Sequence, residues 1–214
     1  MKKEKIQYIF IGIISLVLFS IIILLIIYFI SDYKRWQNYR NDSNKKVFIE
    51  RIDDIKSKKD KSSEDFIDLG NSYYNLGELK KAERAYKESI DMIFNIVSVK
   101  NLAGVYVDMG EYKKAEDMYF KIIDSVPGQV DIYLKLADLY RNYDWEERRS
   151  DRLGILLAGL EKNKESVDII VALASFYKDN GDFKKSLEYF NMAIEKDTSN
   201  EAIKDEVEEV KSKI

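Results

Sequence analysis

The sequence predicts an all-α protein in which one N-terminal transmembrane helix is followed by an α-solenoid of four helix pairs and a C-terminal capping helix. Three observations carry that reading. Residues 6–30 form an apolar run without a charge. A set of residue types then returns at successive steps of 33, 34 and 37 residues. Glycines recur at one place in three of the four copies, at Gly77, Gly110 and Gly181. A period in this range marks stacked helical units that bury their apolar faces only against one another.

The N-terminal tail, residues 1–5, carries Lys2, Lys3 and Lys5. In the 25 residues from Ile6 to Ile30, 19 are Ile, Leu, Val or Phe, and there is no proline. At ~1.5 Å per residue such a helix reaches about 38 Å, more than the ~30 Å hydrocarbon core, so it can span with some tilt. A cleaved signal peptide is the competing reading. The apolar run is about twice the usual ~7–15 residue signal core, and no Ala-x-Ala-like site follows it, so the run is read as an uncleaved anchor. Tyr8 at one end and Tyr28, Tyr33 and Trp36 at the other suit the two interfaces.

Residues 31–62 form a juxtamembrane stalk. Val47, Phe48, Ile52 and Ile55 recur at helical spacing, which predicts a helix from about Lys45 to Lys59. The stalk is either a spacer or, if it lies on the cytoplasmic side, a basic surface for anionic lipid.

The repeats are counted from Ser63, Ile96, Val130 and Val167. Their fourth positions are Phe66, Val99, Tyr133 and Ile170; the seventh is always Leu and the eleventh always Tyr. The eighth reads Gly70, Ala103, Ala137 and Ala174, small side chains that let two helices approach closely. Ser62 and Asp65 make a capping box at the first helix start. Gly77, Gly110 and Gly181 fall where the first helix of a pair ends in a left-handed residue. The second helices open with Lys80-Lys81-Ala82, Lys113-Lys114-Ala115 and Lys184-Lys185-Ser186, and Pro127 closes the second repeat. The third repeat is longer by about three residues, placed near Asn142 to Arg152. Its second helix is read as roughly Asp151 to Lys162, with Leu156 and Gly159 where the other repeats carry an aromatic and a small residue. Thr198 and Glu201 open a last helix to about Lys211, inside a capping segment of residues 199–214; Ile203, Val207 and Val210 share one face.

Composition narrows the chemistry. There is no His and no Cys, so the commonest general base, thiolate nucleophiles and disulfides are absent. No Gly-rich phosphate loop or Gly-x-Ser-x-Gly elbow occurs. Asp53-Asp54 and Glu146-Glu147 are read as solvated helix faces, and Trp145 as a cover for the insertion or an exposed contact. The expectation is a protein with no enzyme activity, no cofactor, no metal and no small-molecule substrate. Residues 1–30 carry +2 and residues 31–62 carry +4, which leaves −9 of the total −3 for residues 63–214. So acidic a domain is a poor phosphate binder, and no nucleic-acid partner is expected.

On these residues the chain resembles the tetratricopeptide repeat family, whose pattern is an aromatic, Leu-Gly, Tyr, Ala, an aromatic, Ala and a closing Pro. The resemblance covers about residues 63–198, with repeats at about 63–95, 96–129, 130–166 and 167–198. It implies a right-handed solenoid whose first helices line a concave groove for a protein or peptide ligand. Carried over by position, the groove residues are Ile67, Asn71, Tyr74 and Asn75; Lys100, Gly104, Val107 and Asp108; Leu134, Asp138, Arg141 and Asn142; Val171, Ser175, Lys178 and Asp179. The carboxylate clamp by which some members grip chaperone tails is not rebuilt: Ile67 stands at its first Lys, and Asn71 and Asn101 alone do not suffice. With the anchor, the chain looks like membrane-anchored bacterial members that assist secretion, envelope assembly or pilus biogenesis. The functional expectation is a single-pass scaffold that recruits a partner. The alternative is a self-associating structural protein, and the oligomeric state is open. For topology, the five basic residues Lys34, Arg35, Arg40, Lys45 and Lys46 after the run outnumber the three before it, which points to a cytoplasmic domain. The family resemblance points the other way and tips the reading to an extracytoplasmic domain.

Overall fold

The computed structural model describes residues 20–33, 42–143 and 147–214. The predicted tail, residues 6–19 of the predicted span, residues 34–41 of the stalk, and Trp145 lie outside the described residues. Among the described residues there are eleven helices and no strand. The chain divides into two compact units, Met1–Lys59 and Asp60–Ile214.

In the first unit, residues 20–33 are helical (α1), and the apolar side chains from Ile21 to Ile30 are exposed. Among the described residues no helix is long and apolar enough to cross a membrane. Helix α2, Ser43–Ser57, starts two residues earlier than the periodicity predicts and buries Ile52 and Ile55 on one face. Asp42 supplies the start: its carbonyl accepts from the N–H groups of Lys45 and Lys46.

The second unit is a run of antiparallel pairs. Each first helix packs on the second helix that follows it: α3 (Ser63–Asn75) on α4 (Leu79–Met92), α5 (Ile96–Asp108) on α6 (Tyr112–Ser125), α7 (Val130–Tyr143) on α8 (Arg149–Lys162), and α9 (Val167–Asp179) on α10 (Phe183–Lys196). Helix α11, Glu201–Lys211, packs on α10. Consecutive pairs also pack on one another, so the core runs along the unit without a break. At the start of α3 the Ser62 side chain accepts from the Asp65 N–H while the Asp65 carboxylate accepts from the Ser62 N–H, the reciprocal box that the sequence predicts. Asn95 and Ser166 cap α5 and α9 in the simpler one-way form. The cap of α11 is Asn200, which accepts from the Ile203 N–H, and not Thr198. An Asx side chain directly before the helix reaches the third amide, whereas Thr198 sits two residues too early.

The turn from first to second helix needs a left-handed residue. Gly77, Gly110 and Gly181 have φ of 74°, 71° and 76°. Around Gly77 the N–H groups of Gly77 and Glu78 donate to the carbonyls of Tyr74 and Tyr73, which satisfies the end of α3.

Gly70 shows why the eighth position is small. A Cβ there would lie 2.5 Å from Tyr86 Cε1, so the ring of α4 lies flat on the α3 backbone. Gly159 plays a similar part in the third repeat, with Tyr133 Cγ at 2.9 Å and Ile169 Cδ1 at 3.1 Å from a built Cβ. Leu156 fills the aromatic position and is fully buried. The structure also settles what α8 carries at its fourth position, where α4 and α6 have Ala82 and Ala115: it is Arg152, 3% exposed.

Candidate functional site

Position within a repeat decides what each predicted groove residue can meet. Positions 5, 9, 12 and 13 of a first helix share one side, because 3.6 residues make a turn. Successive first helices lie about one repeat apart in sequence, and their side chains are linked by a series of bonds between repeats.

From α3 to α5, the Tyr74 hydroxyl donates to Asp108 Oδ2 at 2.6 Å. That bond, and then partial burial, push the Tyr74 phenol above its usual range. Beside it, the Tyr86 hydroxyl and the Asn101 amide both donate to Asn71 Oδ1, at 2.6 and 3.0 Å. From α5 to α7, Lys100 Nζ lies 3.2 Å from Asp131 Oδ2. From α7 to α9, Arg141 Nη2 lies 3.6 Å from Asp179 Oδ2, and Arg152 Nη1 reaches the same oxygen at 3.4 Å. From α9 to α11, Lys178 Nζ lies 2.5 Å from Glu206 Oε2 and 3.3 Å from Glu209 Oε2. The Glu206 carboxylate raises the Lys178 ammonium, with burial opposing.

Tyr74 with Asp108 and Arg141 with Asp179 are the same contact made twice: position 12 of one first helix bonds to position 13 of the next. Val107 and Asn142 occupy that pair of positions between α5 and α7, and cannot form a bond of this kind because Val107 has no polar group. Ile67, Leu134 and Val171 occupy position 5 of three helices and are half-buried, as are Val107, Gly104 and Ser175. Asn75, Asp138 and Asn142 are exposed. Asn75 donates to the Asn71 carbonyl at 2.8 Å within its own helix. The side of the unit formed by the first helices therefore offers an interrupted apolar row, flanked by amide, carboxylate and guanidinium groups whose positions are fixed by neighbours.

Sequence reasoning missed the partners that come from outside the predicted set: Asp131, Arg152, Glu206 and Glu209. Arg152 is the least expected. It sits in an alanine slot, its guanidinium centre lies 5.4 Å from the Phe176 ring centroid, and burial followed by the nearby Arg141 presses its pKa downward, with Asp179 opposing. The only signal in the sequence was the insertion itself, which marks the third repeat as irregular.

Between repeats, on the second helices, runs another pair of related contacts. Glu83 of α4 accepts from the Tyr106 hydroxyl of α5 at 3.2 Å and from Lys87 at 2.8 Å. Glu116 of α6 accepts from the Tyr140 hydroxyl of α7 at 2.6 Å, from Lys113 at 2.6 Å, and from Arg148. Both carboxylates are buried. Among the described residues no group of three or more acidic, His or Cys side chains is placed to hold a metal ion.

Residues 66–95 and 167–199 match one form of the tetratricopeptide repeat, and residues 98–129 match another. The chain thus carries tetratricopeptide repeats. No curated protein sequence matches it. Solved structures similar to it include a tetratricopeptide repeat protein from Parabacteroides merdae (20% identity, TM-score 0.56), over 71% of this chain and 58% of that one. MamA from Desulfovibrio magneticus RS-1, residues 41 to the end, is similar at 13% identity and TM-score 0.52, over 71% of this chain and 90% of that one. PilF of Pseudomonas aeruginosa is similar at 16% identity and TM-score 0.54, over 69% of this chain and 67% of that one. At these identities the likeness concerns the fold. Tetratricopeptide folds serve protein–protein interaction in general, and they are generally non-catalytic.

Proposed function

We propose that the chain is a single-pass membrane scaffold: residues 6–30 hold it in a bilayer, and the face formed by α3, α5, α7 and α9 binds an extended segment of a partner protein. The observation that carries the binding reading is the row of bonds from one first helix to the next. It holds side chains such as Tyr74, Arg141 and Lys178 in place before any ligand arrives, so little side-chain entropy remains to be lost on binding. Ile67, Leu134 and Val171 provide apolar purchase between those polar groups, the mix that suits an extended peptide with alternating side chains.

The anchoring reading is supported by the length and uncharged character of residues 6–30. The repeat domain is read as extracytoplasmic, a reading that the family resemblance supports.

The test is photo-crosslinking in native membranes. A benzophenone amino acid is placed in turn at Asn75, Asp138 and Asn142, and at the exposed Glu195 of α10 as a control. Adducts to one partner from the first three positions, without the same adduct from the control, are expected. Equal adducts from all four, or partner adducts from Glu195 alone, overturn the groove reading. Adducts whose partner is a second copy of this chain replace recruitment with self-association.

A further inference from the structure

The connection between α4 and α5 exposes apolar side chains: Met92 is 53%, Ile93 60%, Phe94 42% and Val97 48% exposed. The fold does not demand this. Where the first repeat has Ile93-Phe94-Asn95, the later repeats have Val126-Pro127-Gly128, Asn163-Lys164-Glu165 and Asp197-Thr198-Ser199. Only the first repeat carries two large apolar side chains at this tip, and a contiguous exposed apolar patch marks an interaction site.

Buried serines fix where the tip lies. Ser89 Oγ is 2.8 Å from Ser63 Oγ and 2.8 Å from Ser98 Oγ. The first turn of α3, the last turn of α4 and the first turn of α5 therefore meet at one edge of the second unit. The chain enters the unit at that same edge, through Asp60 to Ser62. Lys121 Nζ lies 5.6 Å from the Phe94 ring centroid, so an ammonium group accompanies the aromatic. Lys58 and Lys59 immediately precede the entry point in the sequence, and Lys61 lies within it.

We infer that this edge, formed by Met92, Ile93, Phe94 and Val97 with Lys121 beside them, rests in the interfacial zone of a lipid bilayer. The inference depends on the anchoring by residues 6–30 proposed above. Apolar side chains buried to headgroup depth, with basic groups among the phosphates, are the chemistry of interfacial binding. Four side chains alone bind a bilayer weakly. A chain already held at that bilayer presents them at high effective concentration, so a modest patch suffices. The consequence is orientation: the repeat domain rests on the membrane by its entry edge, and its opposite edge, with Gly77, Gly110 and Gly181, points away.

The absence of cysteine allows single labels. The full chain is reconstituted into phosphatidylcholine–phosphatidylglycerol vesicles with an environment-sensitive fluorophore on Phe94→Cys, Ile23→Cys or Lys184→Cys, one at a time. Ile23 lies in the proposed span, and Lys184 starts α10 at the opposite edge. A blue shift, with loss of emission to nitroxide-bearing lipids, is expected for the labels at 23 and 94 and not at 184. Loss at 23, with 94 behaving like 184, overturns the inference and leaves the anchor standing. No loss at 23 or at 94 removes the anchor and the inference together. A blue shift at 94 that grows with protein concentration, without loss to nitroxide lipid, means that a second copy covers the patch and also overturns the inference.

Discussion

Arg148 and Glu116 are ion-paired across the junction between the second and third repeats, so the insertion adds a second cation to the Lys113 that α6 itself gives this carboxylate. At the preceding junction Glu83 receives Lys87, four residues on in its own helix. The corresponding residue four places after Glu116 is Phe120. Arg148, whose guanidinium centre also lies 4.4 Å from the Tyr140 ring centroid, takes over the missing role from the far side of the junction.

Arg148→Ala is therefore expected to destabilise the repeat domain by about 1–3 kcal/mol, the usual cost of removing a partner from a buried charged group. Phe120→Lys in the same chain recreates the arrangement of Glu83 with Lys87 and should recover part of the loss. Urea unfolding of the two variants checks this; a double variant no more stable than Arg148→Ala contradicts the substitution of one cation for the other.

Glu83 gives a pH prediction. Burial alone would raise its carboxyl, but the ammonium groups of Lys87 and Lys80 outweigh that and hold it at about 2. The folded value lies below the usual 4.5, so the contribution is complete above pH 4.5 and is lost as pH falls towards 2. Its size is at most roughly 3 kcal/mol, with exposed lysines and salt reducing it. Glu83→Gln should unfold with a shallower dependence on pH between those limits than the parent chain. Equal slopes would show that Glu83 is not the group lost.

Two glycines should respond in opposite senses to alanine. Gly70→Ala places a methyl 2.5–2.8 Å from three atoms of the buried Tyr86 ring and should cost about 1–3 kcal/mol. Gly104→Ala, inside α5 with nothing within 4 Å of the new Cβ, should stabilise by about 0.4–1 kcal/mol through the unfolded chain. Thermal melts of both variants decide it.

Topology is read with Ser212→Cys and a membrane-impermeant maleimide. Ser212 is exposed and caps the end of α11. With the outer membrane permeabilised where there is one, labelling of intact cells is expected for an extracytoplasmic repeat domain. Labelling only after lysis would place the domain in the cytoplasm.

Helices were the legible part of this sequence. First helices start at Ser63, Ile96, Val130 and Val167, in the frame set by Leu and Tyr, because helix packing repeats with the chain and leaves a one-dimensional trace. The three left-handed glycines and the Ser62–Asp65 box are local chemistry and were equally visible. The bonds between repeats were not. Tyr74 and Asp108 are 34 residues apart, and nothing in a spacing says that a phenol will find a carboxylate there. Arg152 was hidden for a further reason: the inserted residues blurred the frame, and the arginine stands in a slot meant for alanine with Asp179 and Phe176 beside it. Lys178 sits in the predicted groove, and no spacing shows that two glutamates of α11 hold it there.

These reciprocal contacts bear on how the domain comes apart. When a repeat opens, the one before it loses donors for a buried acid: opening the third repeat would take Tyr140 and Arg148 from Glu116, and opening the second would take Tyr106 from Glu83. Opening one repeat thus raises the energy of the repeat before it, which ties the first three repeats into a larger cooperative block than an array of independent hairpins. Amide exchange in α4 and α6 would then report on the intactness of the helices that follow them.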